Sequence, residues 1–89
     1  MPFVRFTSHL RQHVAVDDGW FPGATVAEVL DAVFARIPRL QSYVRDDQGA
    51  LRKHVVVFRN SQLIGDRAHQ QDATQPDDEI DVLQALSGG

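Results

Sequence analysis

The stretch from Thr25 to Ile37 does most to restrict the folds open to this chain. Thr25-Val26-Ala27-Glu28 reads as a capping box, in which the Thr25 hydroxyl accepts from the Glu28 N–H while Glu28 reaches back. Behind it Val26, Val29, Leu30, Val33, Phe34 and Ile37 fall at i, i+3, i+4, i+7, i+8 and i+11, one continuous apolar stripe. Pro38 disfavours helical backbone at Ile37 and closes the segment. A helix with a single stripe has one side to bury, and the remaining residues must supply the surface that covers it.

Those residues read mainly as strands. Phe3 to Thr7 alternates, with Val4 and Phe6 on one face. His13 to Val16 is a second short strand, and Asp17-Asp18-Gly19 supplies turn chemistry, so a loose N-terminal hairpin is expected. Beyond the main helix, Pro38 can open a short helical turn carrying Leu40, Tyr43 and Val44. Asp46-Asp47-Gln48-Gly49 is turn-like. Val55-Val56-Val57-Phe58 has the apolar run of a strand buried on both faces. Asn60-Ser61 joins it to a short strand, Gln62 to Ile64. Asp66 to Asp78 holds few large apolar residues and reads as a surface loop. A last strand starts near Glu79, with Ile80 and Val82 on one side and Asp81 and Leu83 on the other.

The order is an α+β two-layer domain: a mixed sheet of 4–5 strands with one main helix packed on one face. A β-grasp arrangement satisfies it, with the first and last strands adjacent in the middle of the sheet. A ferredoxin-like fold would need a second full helix, and the Asp66–Asp78 loop has no stripe for one. Residues 1–89 are read as one domain, with a flexible tail from about 85 to 89.

At 89 residues the chain can bury a modest core without disulfides or metals. It has no cysteine, which removes thiolate metal sites, iron-sulfur clusters and a cysteine nucleophile. Twelve acids against nine bases give a net charge of −3, so no electrostatic footprint for nucleic acid is present. No signal-peptide pattern and no apolar run of membrane length appear, and a cytoplasmic location is expected. The glycines at 19, 23, 49 and 65 make no phosphate-cradling loop, and no nucleophile motif is found. The chain is therefore expected not to be an enzyme.

The last strand leads into Ala85-Leu86-Ser87-Gly88-Gly89. Without Cβ atoms, a terminal diglycine can lie extended in a channel too narrow for other residues, and its carboxylate is unhindered. That suits a carboxylate that is itself the substrate of another enzyme. The capped helix of Thr25 to Ile37, the strand pair Val55 to Ile64 and the end from Asp78 to Gly89 together resemble the ubiquitin-like sulfur-carrier family. That family includes the small subunit of molybdopterin synthase, the thiamine sulfur carrier and a carrier of cysteine biosynthesis.

The resemblance implies a non-catalytic role with no cofactor of its own. A ubiquitin-activating-type enzyme would use ATP to adenylate the Gly89 carboxylate, and a sulfur donor protein would convert the acyl-adenylate to a thiocarboxylate. A sulfur-accepting synthase subunit or enzyme would then take the sulfur. Gly88 and Ser87 give access to the tail. Where many relatives carry alanine and an earlier proline, this chain has Ser87 and Gln84. In the family the open sheet face docks partners, which points to Phe58, Leu83 and Leu86. The alternatives are a protein modifier joined to lysines through the same carboxylate, and a plain β-grasp interaction module.

Other groupings are weaker. His9 and His13 have a spacing used by zinc sites but no third ligand nearby, so no metal is expected. Arg52-Lys53-His54 with Arg45 and Arg59 reads as solubilising charge around a strand. Asp72, Asp77, Asp78, Glu79 and Asp81 form an acid-rich stretch able to steer the chain toward a basic surface. Trp20 and Phe21 fit either a core plug or an edge contact.

Overall fold

The computed structural model describes residues 1–7, 10 and 16–84. Strand β1 (Phe3–Phe6) pairs antiparallel with β2 (Gly19–Trp20) and parallel with β5 (Glu79–Gln84). On its other side β5 runs antiparallel to β3 (Val55–Arg59), which pairs with β4 (Gln62–Leu63). The sheet order is β2-β1-β5-β3-β4. β5 is thus the middle strand, with β1 beside it, which is the β-grasp arrangement.

Helix α1 (Val26–Arg36) starts as its sequence dictates, with Thr25 Oγ1 accepting from the Glu28 N–H at 3.2 Å. The reciprocal bond differs from the simple box. Glu28 Oε1 accepts from the N–H of Ala24, one residue before the cap, at 3.0 Å. Val26, Val29, Leu30, Val33 and Phe34 are buried, while Ile37 is the C-cap and only half-buried. Pro38–Leu40 forms one 3₁₀ turn that runs into the short helix α2 (Gln41–Val44). The stripe packs on Val4, Phe6, Val55, Val57, Ile80 and Val82, the inward-facing residues of three strands.

Two expectations are corrected at the hairpin and at β3. The strand that pairs with β1 is Gly19–Trp20, so Gly19 lies in the strand and not in a turn. Of the strand expected from His13 to Val16, residues 13–15 lie outside the described residues, and Val16 is buried in the core outside any strand. In β3 only Val55 and Val57 are buried, and Val56 and Phe58 are half-buried on the far side. The apolar run reflects one buried face and one face that the helix does not cover. Asn60 and Ser61 both have positive φ, 51° and 68°, the geometry of the primed turn that matches strand twist.

The loop between β4 and β5 is fixed by polar side chains that composition did not reveal. Gln70, 1% exposed, donates from Nε2 to the carbonyls of Gly49 and Arg67 and accepts at Oε1 from Arg45 Nε. Its own carbonyl accepts from the Ala27 N–H in the first turn of α1. Asp66 accepts from the N–H groups of His69 and Gln71, which hold its carboxyl below the usual range. Asp78 is 4% exposed at the start of β5. Burial would raise its pKa, but the Gln75 N–H, the Asn60 amide and the Arg59 guanidinium more than offset this and hold it low.

Candidate partner-docking face

Because side chains alternate along strands, burying Val4, Phe6, Val55, Val57, Ile80 and Val82 under α1 sends their neighbours to the opposite face. Register then decides which of these meet. Val56 lies opposite Leu83, Phe58 opposite both Leu63 and Asp81, Asp81 opposite Arg5, and Phe3 opposite both Glu79 and Trp20. The face has three zones. Val56, Leu83, Phe58 and Leu63 form an apolar zone toward the C-terminal end of β5, and Leu63 is 61% exposed. Charged residues cross the middle. An aromatic pair, Phe3 and Trp20, occupies the far end, with ring centroids 4.8 Å apart in an edge-on contact.

The charged zone is one ion-pair group. Arg5 Nε donates to Asp81 Oδ1 at 2.7 Å, and Nη2 donates to Glu79 Oε1 at 2.7 Å and Asp81 Oδ2 at 3.2 Å. The hydrogen bonds and charge of Asp81, helped by Glu79, stabilise the Arg5 cation beyond its ordinary state. Beside it an open depression of about 450 Å³ is walled by Phe58, Leu83, Asp81, Arg5, Thr7 and Asp18. Thr7 Oγ1 and Gln84 Oε1 are buried at this end of β1 and β5 and have no hydrogen-bond partner among the described residues.

The structure thus places Phe58 and Leu83 together on the uncovered face, two positions apart along the β3–β5 ladder. Leu86, Ser87, Gly88 and Gly89 lie outside the described residues, as do His9 and His13. Sequence reasoning missed Val56 and Leu63 as members of the same patch. Alternation from Phe58 and the pairing across the Asn60-Ser61 turn were the signals for them.

The two charge groupings take other roles. Arg45 lies over the Phe34 ring at 5.1 Å and donates to Gln70, Asp31 and the Ala27 carbonyl. Arg59 pairs with Asp78. These two are structural clamps and not solubilising charge, and Lys53 and His54 lie in the turn before β3. In the acid-rich stretch, Asp72 accepts from the N–H groups of Gly65 and Asp66, Asp78 is buried, and Glu79 and Asp81 hold Arg5. Among the described residues no group of His, Asp and Glu is arranged to hold a metal, and no helix is long and apolar enough to cross a membrane.

Among the described residues, one long helix on a mixed sheet, with β1 and β5 parallel at its middle and the opposite face uncovered, defines the ubiquitin-like class of β-grasp proteins. Residues 4–89 match the sequence profile of the ThiS family, and the chain belongs to that family of ubiquitin-like carriers and modifiers. It is 39% identical over 66 residues to small archaeal modifier protein 1 of Haloferax volcanii, an alignment covering 74% of this chain and 71% of that protein. The crystal structure of SAMP1 from Haloferax volcanii superposes with a TM-score of 0.79 at 28% identity, covering 99% of this chain and 98% of that one. A chain in the crystal structure of the Amycolatopsis orientalis BexX/CysO complex gives a TM-score of 0.84 at 22% identity, with both chains covered in full. Mycobacterium tuberculosis CysO gives 0.81 at 19% identity, covering 97% of this chain and all of that one. The last two likenesses show the fold.

Proposed function

We propose that this chain carries sulfur as a thiocarboxylate on Gly89. The observation that supports this reading best is the match to the ThiS family over residues 4–89, which runs through the diglycine. A carboxylate is a poor acyl donor because its oxygen is a poor leaving group. In the proposed sequence the Gly89 carboxylate attacks the α-phosphate of ATP on an activating enzyme of the ubiquitin-activating type, and pyrophosphate leaves. Hydrosulfide-level sulfur delivered by a donor protein then attacks the acyl carbon, AMP departs, and the thiocarboxylate goes to a sulfur-accepting enzyme or synthase subunit.

The chain takes part as a protein substrate. ATP is held by the partner, no residue of the chain acts as a catalyst, and no metal or bound cofactor is assigned to it. Gly88 and Ser87 let the tail enter the partner's channel, and Phe58, Leu83 and Leu86 dock the partner. The apolar zone supports this part, since exposed large apolar residues grouped on one face mark contact surfaces. A cytoplasmic location accompanies the reading and fits a chain without cysteine.

A second reading has its own support, the 39% identity to a small archaeal modifier protein. In it the same acyl-adenylate passes to lysine amines as an isopeptide. Intact mass spectrometry after incubation with an activating enzyme, ATP and a sulfur donor separates the two. Exchange of one oxygen for one sulfur at Gly89 is the expected result. Adducts on lysine favour the modifier, and an unchanged mass under conditions that activate a control carrier leaves only an interaction module.

A further inference from the structure

The far end of the uncovered face holds a cleft of about 420 Å³ lined by Phe3, Arg5, Trp20, Pro76, Asp77 and Glu79. We propose that it receives an arginine side chain from a partner protein, as a second contact distinct from the apolar zone around Phe58 and Leu83. The inference is independent of what becomes of the Gly89 carboxylate.

Three observations point to a planar cation. First, Trp20 is 56% exposed although it sits in a strand of the sheet, and Phe3 meets it edge-on. An indole face is the best aromatic acceptor for a cation. Second, the chain covers other rings with its own arginines: Arg36 lies 4.8 Å over Phe21, and Arg45 lies 5.1 Å over Phe34. Among the described residues Trp20 has no such cover, because Arg5, the cation lining the same cleft, is drawn to Glu79 and Asp81. Third, the rim carries unused acceptors. Asp77 is exposed and has no hydrogen bond among the described residues, and Glu79 offers only Oε1 to Arg5. A guanidinium can stack on the ring and present N–H groups to both carboxylates in one plane, which an ammonium cannot.

The position gives the contact a role. Glu79 and Leu83 lie on one face of β5, four residues or about 13 Å apart at the usual strand rise. A partner reaching from the apolar zone across Arg5 to Trp20 is held at two ends, so the direction in which the chain lies on it is fixed.

The test is an NMR titration of the whole ¹⁵N-labelled chain with the blocked peptide Gly-Arg-Gly-Arg-Gly and with the same peptide carrying citrulline. Trp20 is the single tryptophan, so its indole signal reports the cleft without ambiguity. The expected result is saturable, salt-sensitive shifts at the Trp20 indole, Phe3, Asp77 and Glu79 with arginine only. Trp20→Leu, which keeps apolar bulk, and Asp77→Asn should each weaken binding roughly two- to five-fold. Equal shifts with citrulline, no saturable shift at the Trp20 indole, or undiminished affinity in a folded Trp20→Leu chain overturns the proposal.

Discussion

Asp78→Ala offers a quantitative check on how the long loop is joined to the middle strand. The carboxylate is 4% exposed and accepts from the Gln75 N–H at 2.8 Å, Asn60 Nδ2 at 2.8 Å and Arg59 Nη1 at 3.0 Å. Removing it leaves three donors without their acceptor. A buried group left unsatisfied costs about 1–3 kcal/mol, but the Arg59 side chain is 35% exposed and can rehydrate, so the three together should cost about 2–3 kcal/mol. For a domain of this size that lowers Tm by roughly 10–20 °C.

The sign of the pH dependence follows from the depressed folded pKa. The Asp78 contribution is complete above the unfolded value of about 3.9 and is lost as pH falls through the lower folded value. The stability gap between the native chain and Asp78→Asn, read by urea unfolding, should therefore be flat at neutral pH and shrink in acid. A loss below about 1 kcal/mol for Asp78→Ala, or a gap to Asp78→Asn that ignores pH, refutes the role given to this carboxylate.

Other substitutions probe the turn, the cap and the docking face. Ser61→Gly should stabilise the chain by about 0.5–1 kcal/mol in urea unfolding, since Ser61 stands at a φ of 68° where glycine carries no steric penalty. Thr25→Ala should cost about 1 kcal/mol by the same measurement, the value of a lost N-cap. Leu83→Ser should lower stability by less than about 2 kcal/mol, because the side chain is only half-buried. On the docking reading it should also raise the KM of the activating enzyme for this chain about ten-fold.

The sequence was most legible where one local rule acts alone. The Thr25 cap, the stripe from Val26 to Phe34 and the alternation Ile80-Asp81-Val82-Leu83 each map directly onto an element. It was less legible where tertiary pairing overrides local pattern. The Val55–Phe58 run looks two-sided on its own, and only the placement of α1 on one face shows that Val56 and Phe58 belong to the uncovered side. Arg45, Arg59, Gln70 and Asp78 read as loop or surface polarity. Their side-chain partners lie 14 to 25 residues away, so no local pattern announces them. Trp20 was undecided for the same reason, since its exposure depends on pairing with Phe3 across the sheet.

The most direct test of Gly89 as the reacting group is ATP–pyrophosphate exchange by an activating enzyme, with the full chain compared against one lacking Gly89. Matching circular dichroism and urea midpoints establish that both are folded. Exchange that requires the full chain and vanishes on removal of Gly89 is the predicted result. Equal exchange with the shortened chain contradicts the assignment of the chemistry to the Gly89 carboxylate.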